Sequence, residues 1–265
     1  MVETVRIEQQ GAVVIVTLNR PASLNSLDSE MSYQLRDGFA VIAEDKSIRA
    51  VVLTGEGSHF MAGGDIAFFK KSLELSPYDR KEKVTELISV VHEFISTLRT
   101  MPQPVIASVR GNVAGFGMSL VAASDLAIAA DNALFTQAYS QIGTSPDGGN
   151  TFFLPRAIGT KRAMAMTLLN EPVDAKQAVA MGLINKVVSD DELEAATLKL
   201  AARLAQGPTQ AYARAKQLMN STMGNTLQQQ LDAEQVRFAN CSVSHDFAEG
   251  VTAFMEKRKA DFNGE

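Results

Sequence analysis

Twice along this chain a short, mostly apolar run enters a glycine-rich loop and leaves it as a helix. The first passage goes from Ala50-Val51-Val52-Leu53-Thr54 through a loop that ends in Ala62-Gly63-Gly64-Asp65-Ile66. The second goes from Val105 to Val109 through Gly115-Phe116-Gly117 into the small apolar residues Met118 to Ala123. Apolar runs of this length mark strands covered on both faces. Two such strands, parallel and adjacent, place both loops at one edge of a sheet, where α/β proteins bind ligands. Glycine lets the backbone approach a ligand with no Cβ in the way. A helix that begins there aims free N–H groups and the positive end of its dipole at the same point. Such a place suits a developing oxyanion.

The remaining segments read as scaffold. Val2 to Ile7 and Val13 to Leu18, joined through Gln10-Gly11, have the pattern of a hairpin. Met31, Leu35, Phe39 and Ile42 recur at helical spacing, and Val84, Leu87, Ile88, Val91, Ile95 and Leu98 form the stripe of a longer helix that Pro102 and Pro104 end. Asp125 to Ala130 and Ile184 to Val188 are further strand candidates, with helices at Thr160 to Leu169 and Asp174 to Met181 and Gly182 at a C′ position. Past Gly207-Pro208 the strand signal ends, and Thr209 to Lys259 reads as three helices with apolar residues on more than one side. The division expected is therefore a core over residues 1–206 and a helical region over 207–265. A helical region apolar on several sides packs onto another chain or domain.

Charge and cysteine content narrow the partners. A formal net charge of −5 gives no general field for nucleic acid or an anionic membrane. The densest basic stretch, Lys70-Lys71 with Arg80, Lys81 and Lys83, is interleaved with Glu74, Asp79 and Glu82 and reads as a solvated face rather than an RNA stripe. Cys241 is the single cysteine, so no internal disulfide forms and a reducing compartment is expected. No apolar run approaches the about 20 residues of a membrane span, and the first residues alternate as a strand does. A cytoplasmic protein is the expectation.

Asn19-Arg20-Pro21, Ala62-Gly63-Gly64-Asp65, Gly115-Phe116-Gly117, Asp125, Pro172 to Val188 and Ala253-Phe254-Met255-Glu256-Lys257-Arg258 together resemble the crotonase (enoyl-CoA hydratase/isomerase) superfamily. The resemblance covers nearly the whole chain. It implies an α/β fold, a spiral of ββα units with a C-terminal helical trimerisation region, and homotrimers or paired trimers forming hexamers. It also implies an acyl-CoA substrate, with coenzyme A part of that substrate and no separate cofactor or metal. The backbone N–H groups of Gly64 and Phe116 are then the oxyanion hole for the thioester carbonyl, and Ala62, Asp65, Ile66, Ser119 and Tyr139 line the substrate.

The family's hydratases use two glutamates, and the positions that match them here are Ser119 and Tyr139. Adding water across a double bond needs a base for the water and an acid for Cα, so hydration is not expected. A single acid stands instead at Asp147, in Ser145-Pro146-Asp147-Gly148-Gly149. There the resemblance is to the family's enoyl-CoA isomerases and to the ring-opening isomerases of phenylacetate catabolism, which handle an epoxyphenylacetyl-CoA type of acyl group. It implies that Asp147 moves a proton from Cα to Cγ, turning a β,γ- into an α,β-enoyl thioester. On spacing alone, a turn aspartate bonded to its own backbone is the favoured reading of Asp147; the motif match turns the preference to catalysis.

Two other readings remain open. Dehalogenases of aryl-CoA thioesters in this family carry a nucleophilic Asp at this position and a histidine that matches His92, but a tryptophan where Tyr139 stands. A non-catalytic acyl-CoA- or RNA-binding member of the fold is the alternative of another class. His59 reads as a solvated loop residue, His245 as a cap neighbour, and Asp65 and Asp125 as structural hydrogen-bonders. Met118, Met164 and Met166 read as fillers of core or pocket gaps, and Phe68, Phe69, Phe135 and Tyr139 as candidates for the acyl pocket.

Overall fold

A computed structural model describes residues 3–265; Val2, expected to start the first strand, lies outside the described residues. In chain order the elements are β1 (Val5–Gln10), β2 (Val13–Leu18), α1 (Ser29–Glu44), β3 (Ala50–Gly55), α2 (Ile66–Ser72), α3 (Pro77–Thr100), β4 (Val105–Val109), β5 (Asn112–Ala114), α4 (Phe116–Ala123), β6 (Leu126–Ala130) and β7 (Leu134–Thr136). There follow α5 (Asn150–Ile158), α6 (Thr160–Leu169), β8 (Val173–Asp174), α7 (Ala175–Met181), β9 (Lys186–Val188), α8 (Leu193–Ala205), α9 (Thr209–Ser221), α10 (Leu227–Ser242) and α11 (His245–Glu256).

Six strands form the main sheet in the order β1-β2-β3-β4-β6-β9, and β5-β7-β8 form a smaller one. The expected hairpin β1–β2 is antiparallel. From β2 onward the neighbours of the main sheet run parallel, with Val51 opposite Val105 and Leu53 opposite Ala107. β4 is buried at every position and β3 at its first four. Helices therefore cover both faces, as parallel sheets require. On one face α1 presents Met31, Leu35, Phe39 and Ile42, all buried, and Phe39 meets Phe94 of α3 edge to face at 4.8 Å. On the other face α8 closes over Val13, Ala50, Val52 and Ile106 with the small residues Ala201 and Ala205.

Boundaries differ from expectation where side chains take backbone groups. β6 begins at Leu126 because the Asp125 carboxylate already accepts the Val105 N–H at 2.8 Å. β9 begins at Lys186 because Asn185 bonds Ala127 through its side chain. Asp174 stands outside α7 as the acceptor of a capping box with Gln177. On α3, Val84 and Ile88 are half-buried, whereas Val90 and Phe94 join the buried stripe.

After β9 the described residues hold no further strand, and the last three helices are those expected. Two cations tie this region back to the sheet. Arg49, just before β3, donates to the carbonyls of Phe262 at 2.8 Å and Gly207 at 2.5 Å and to the Thr209 hydroxyl. Lys216 on α9 reaches Asp125 at 2.7 Å and the Gln103 carbonyl at 2.8 Å. Burial pushes the Lys216 ammonium down, and the Asp125 charge opposes that shift. By contrast α10 buries none of its residues, and Phe238, Val243, Phe254 and Met255 are each more than 70% exposed in the single chain. No helix of the described residues is long and apolar enough to cross a membrane.

Candidate active site

Because β3 and β4 are parallel neighbours, the loops that leave them meet. The first loop pairs with the path of the second: Phe60 N–H donates to Arg110 O at 2.9 Å and Met61 N–H to Asn112 O at 3.2 Å, while Ala114 N–H donates to Met61 O at 2.8 Å. Where they touch, only glycine fits. A Cβ on Gly115, whose φ is +51°, would stand 3.2 Å from Gly63 Cα, and one on Gly117 would stand 2.7 Å from Met61 O. Both loops therefore bring bare backbone together. Neither Gly64 N–H nor Phe116 N–H donates to an acceptor among the described residues. Phe116 opens α4, where N–H groups are free by construction. Its ring turns into the interior under Gly148 and is 2% exposed.

Arg20 and Asn25 lock the first loop in place, a role that sequence reading left unassigned. The Arg20 guanidinium spans Asp28 at 3.1 Å and Asp65 at 2.8 Å. Asn25, left-handed at φ 56°, donates to the carbonyls of Glu56 and His59. Asp65 has both oxygens engaged, one by Arg20 and the other as the cap of α2 through Ala67 N–H. Burial raises its pKa, but Arg20 and the cap bond outweigh that and hold the carboxyl below its ordinary range. His59 differs from expectation: its Nδ1 accepts the Asn112 N–H at 3.0 Å, so it fastens one loop to the other.

The third component comes from the turn before α5. Left-handed Gly148 and Gly149 make the reversal after Asp147, and Asn150 N–H closes it on Asp147 O at 3.0 Å. Asp147 is drawn into a cluster with Ser119 of α4 and Tyr139. The Tyr139 hydroxyl donates to Asp147 Oδ1 at 2.6 Å, and Ser119 Oγ lies 2.9 Å from that hydroxyl. Ser119 Oγ also donates to the Asp147 carbonyl at 2.9 Å. Asp147 Oδ2 has no partner among the described residues. Burial raises the Asp147 pKa, and the Tyr139 hydrogen bond and the charge of His92 offset part of that rise. The Tyr139 phenol is pushed far up by burial and by the Asp147 charge beside it, so it stays protonated through the ordinary pH range.

Thus Ser119, Tyr139 and Asp147 meet directly, and the Asp147–Gly148 turn rests on the ring of Phe116. Phe69 packs beneath Gly64. Ala62, next to the Gly63-Gly64 pair, is held by its N–H to Leu24 O at 3.0 Å, and Ile66 opens α2 with 57% exposure. His92 is an exposed residue of α3. Two pocket candidates lie elsewhere: Phe135 is wholly buried in the core and Met164 is on the surface. No group of three or more His, Cys, Asp or Glu among the described residues is arranged to hold a metal ion. The site holds two backbone N–H groups without an acceptor among the described residues, a kind of donor that suits a developing oxyanion, and one half-buried carboxylate with an oxygen that no described residue bonds.

The profile of the family described as Enoyl-CoA hydratase/isomerase matches residues 8–265. The chain is 38% identical over 268 residues to the 1,2-epoxyphenylacetyl-CoA isomerase of Escherichia coli (strain K12), covering 100% of both. It is 37% identical to a probable enoyl-CoA hydratase of Rhodobacter capsulatus, covering 98% of each. Among solved structures, an enoyl-CoA hydratase from Polaromonas sp. JS666 superposes with a TM-score of 0.92 at 34% identity, covering 97% of this chain and 99% of that one. With the same fold, the paired glycine loops and this extent of identity, the chain belongs to the enoyl-CoA hydratase/isomerase family.

Proposed function

We propose that the protein is an acyl-CoA isomerase that converts a β,γ- into an α,β-enoyl thioester, with Asp147 as the one group that removes and returns the proton. The observation that carries this reading is the composition of the half-buried cluster: one carboxylate, held by a tyrosine and a serine. Isomerisation needs a single base that becomes the acid, together with donors for the enolate oxygen, here Gly64 and Phe116 N–H. Hydration needs a second group to activate water. Tyr139, with its pKa driven up, does not act as that base, and Ser119 has its proton committed to Asp147 O. The relative named as an epoxyphenylacetyl-CoA isomerase supports a ring-containing acyl group, while hydratase-named relatives at similar identity make the assay decisive. A panel of straight-chain β,γ-enoyl, ring-containing and halogenated thioesters, followed by absorbance of the conjugated product, tests it. Activity confined to hydration or dehalogenation ends the proposal.

The same reading includes assembly. The exposed apolar residues of α10 and α11 are covered by further copies of this chain, as a homotrimer or a hexamer. A stable monomer in sedimentation at micromolar concentration rules this out.

A further inference from the structure

The unpartnered Oδ2 of Asp147 and the short contact at Oδ1 divide one carboxylate into two different atoms. We propose that Tyr139, backed by Ser119, is the positioning residue that holds Oδ1 and so reserves Oδ2 for taking and returning the substrate proton. This rests on the isomerase reading and states which atom of that site does the work.

Proton counting supports the division. A carbonyl oxygen only accepts, so the single hydroxyl proton of Ser119 goes to Asp147 O, 2.9 Å away. The single hydroxyl proton of Tyr139 goes to Oδ1 at 2.6 Å. The remaining contact, 2.9 Å between the two hydroxyl oxygens, then has no proton of its own while Asp147 is ionised. Tyr139 cannot turn to Ser119 without leaving Oδ1 facing a lone pair in a half-buried place, which is unfavourable. Ser119 is wholly buried, so no solvent route relieves the arrangement from that side. The carboxylate is thus clamped at Oδ1 and cannot rotate freely. The groups that bear on its charge are Tyr139 from the turn after β7 and His92 from α3.

In the reaction the Cα–H bond breaks and Oδ2–H forms. The released pair enters the bond to the thioester carbon, and the carbonyl oxygen becomes the enolate oxygen at Gly64 and Phe116 N–H. Return of the proton from Oδ2 forms Cγ–H, restores the carbonyl and leaves the double bond between Cα and Cβ. Because Oδ1 is clamped, the proton stays on the side facing substrate between the two transfers. Transfer is therefore largely internal.

The test uses a β,γ-enoyl-CoA dideuterated at Cα, with product deuterium at Cγ read by mass spectrometry. The parent returns most of its label. Tyr139→Phe returns a several-fold smaller fraction, its kcat/KM falls about ten- to hundredfold with KM little changed, and the acidic limb of its pH profile moves to higher pH because the carboxylate has lost its donor. Ser119→Ala shifts each readout in the same direction by less. Unchanged label return and an unmoved limb in Tyr139→Phe overturn the proposal, as does a parent that returns no label. Should Tyr139→Phe be unfolded or inactive, a carbon-13 titration of the Asp147 carboxyl without substrate, in the parent and in Ser119→Ala, decides instead. A titration displaced upward in Ser119→Ala supports the clamp, and an identical one removes it. Asp147→Asn that isomerises at the parent rate defeats the isomerase reading separately, and leaves the carboxyl titration to judge the clamp.

Discussion

Gly148 rests against the ring of Phe116: a Cβ built on it would fall 2.6 Å from Cε2 of that ring and 3.0 Å from Ser119 Cβ. Phe116 supplies a candidate oxyanion donor from its backbone, and the residue before Gly148 supplies the candidate base. The two halves of the chemistry are therefore in direct mechanical contact through a side chain that takes no part in it.

Replacing Gly148 with alanine should consequently damage turnover more than folding. The residue sits at φ +58°, so alanine is strained there by about 1–3 kcal/mol whatever space it finds. Relief requires movement of either Phe116 or the Asp147 turn. A displacement of the order of 1 Å at a reacting group lowers turnover by about a hundredfold. Steady-state isomerisation of Gly148→Ala, compared with its circular dichroism, checks this; a folded variant within threefold of the parent would count against it.

Asp147→Asn keeps the shape and the oxygen that accepts from Tyr139 but removes the base. Thioester binding should survive, measured by calorimetry with an unreactive saturated analogue, and turnover should fall by about 10²–10⁴-fold. Equal rates in the two proteins would place the base elsewhere.

Much of this arrangement was legible in the chain itself, and for identifiable reasons. The runs at Ala50 to Thr54 and Val105 to Val109 are apolar but for Thr54 and Ser108, and runs of this kind mark two-sided burial, which the parallel sheet supplies. Glycine at 63, 115 and 117 has a steric meaning that sequence carries directly. What was not legible depends on contacts distant in sequence. Nothing near Arg20 announces Asp65, 45 residues on. The serine–tyrosine–aspartate contacts join residues 20 and 28 positions apart from Ser119 on different elements. His59 looked like a loop residue because its partner is a backbone N–H, a group every residue has.

Crotonyl-CoA should be a poor substrate for hydration. With one carboxylate in the cluster and a phenol locked in its protonated form, water lacks a base while Cα is being protonated. Rates should lie far below the roughly 10 s⁻¹ typical of enzymes. Loss of enoyl absorbance at that rate would show that another group activates water.

Arg20→Met should loosen the first glycine loop. It leaves Asp28 and Asp65 without their shared cation in a site where the guanidinium is 19% exposed. Leaving partly buried charges unpaired costs about 1–3 kcal/mol, so the denaturation midpoint should fall, and KM for the thioester should rise as Gly64 loses its fixed place. Unaltered stability together with unaltered KM would make the ion pairs ornamental.

Asp147 also sets a pH dependence of stability, and its sign is fixed. Burial raises its folded-state pKa above the unfolded value, so in the folded protein the carboxyl binds a proton more tightly. Its contribution is fully present below the ordinary carboxylate pKa and is lost as pH rises through the raised folded value. Asparagine in its place keeps a neutral group at every pH and loses nothing. Asp65, whose pKa is shifted downward, is present in both proteins and cancels from the comparison. The difference in Tm between Asp147→Asn and the parent should therefore grow in favour of the variant as pH rises across that window, then become constant. Calorimetric scans of both proteins at a series of pH values measure it, and a difference that shrinks with rising pH would mean the carboxylate is stabilised, not penalised, by its site.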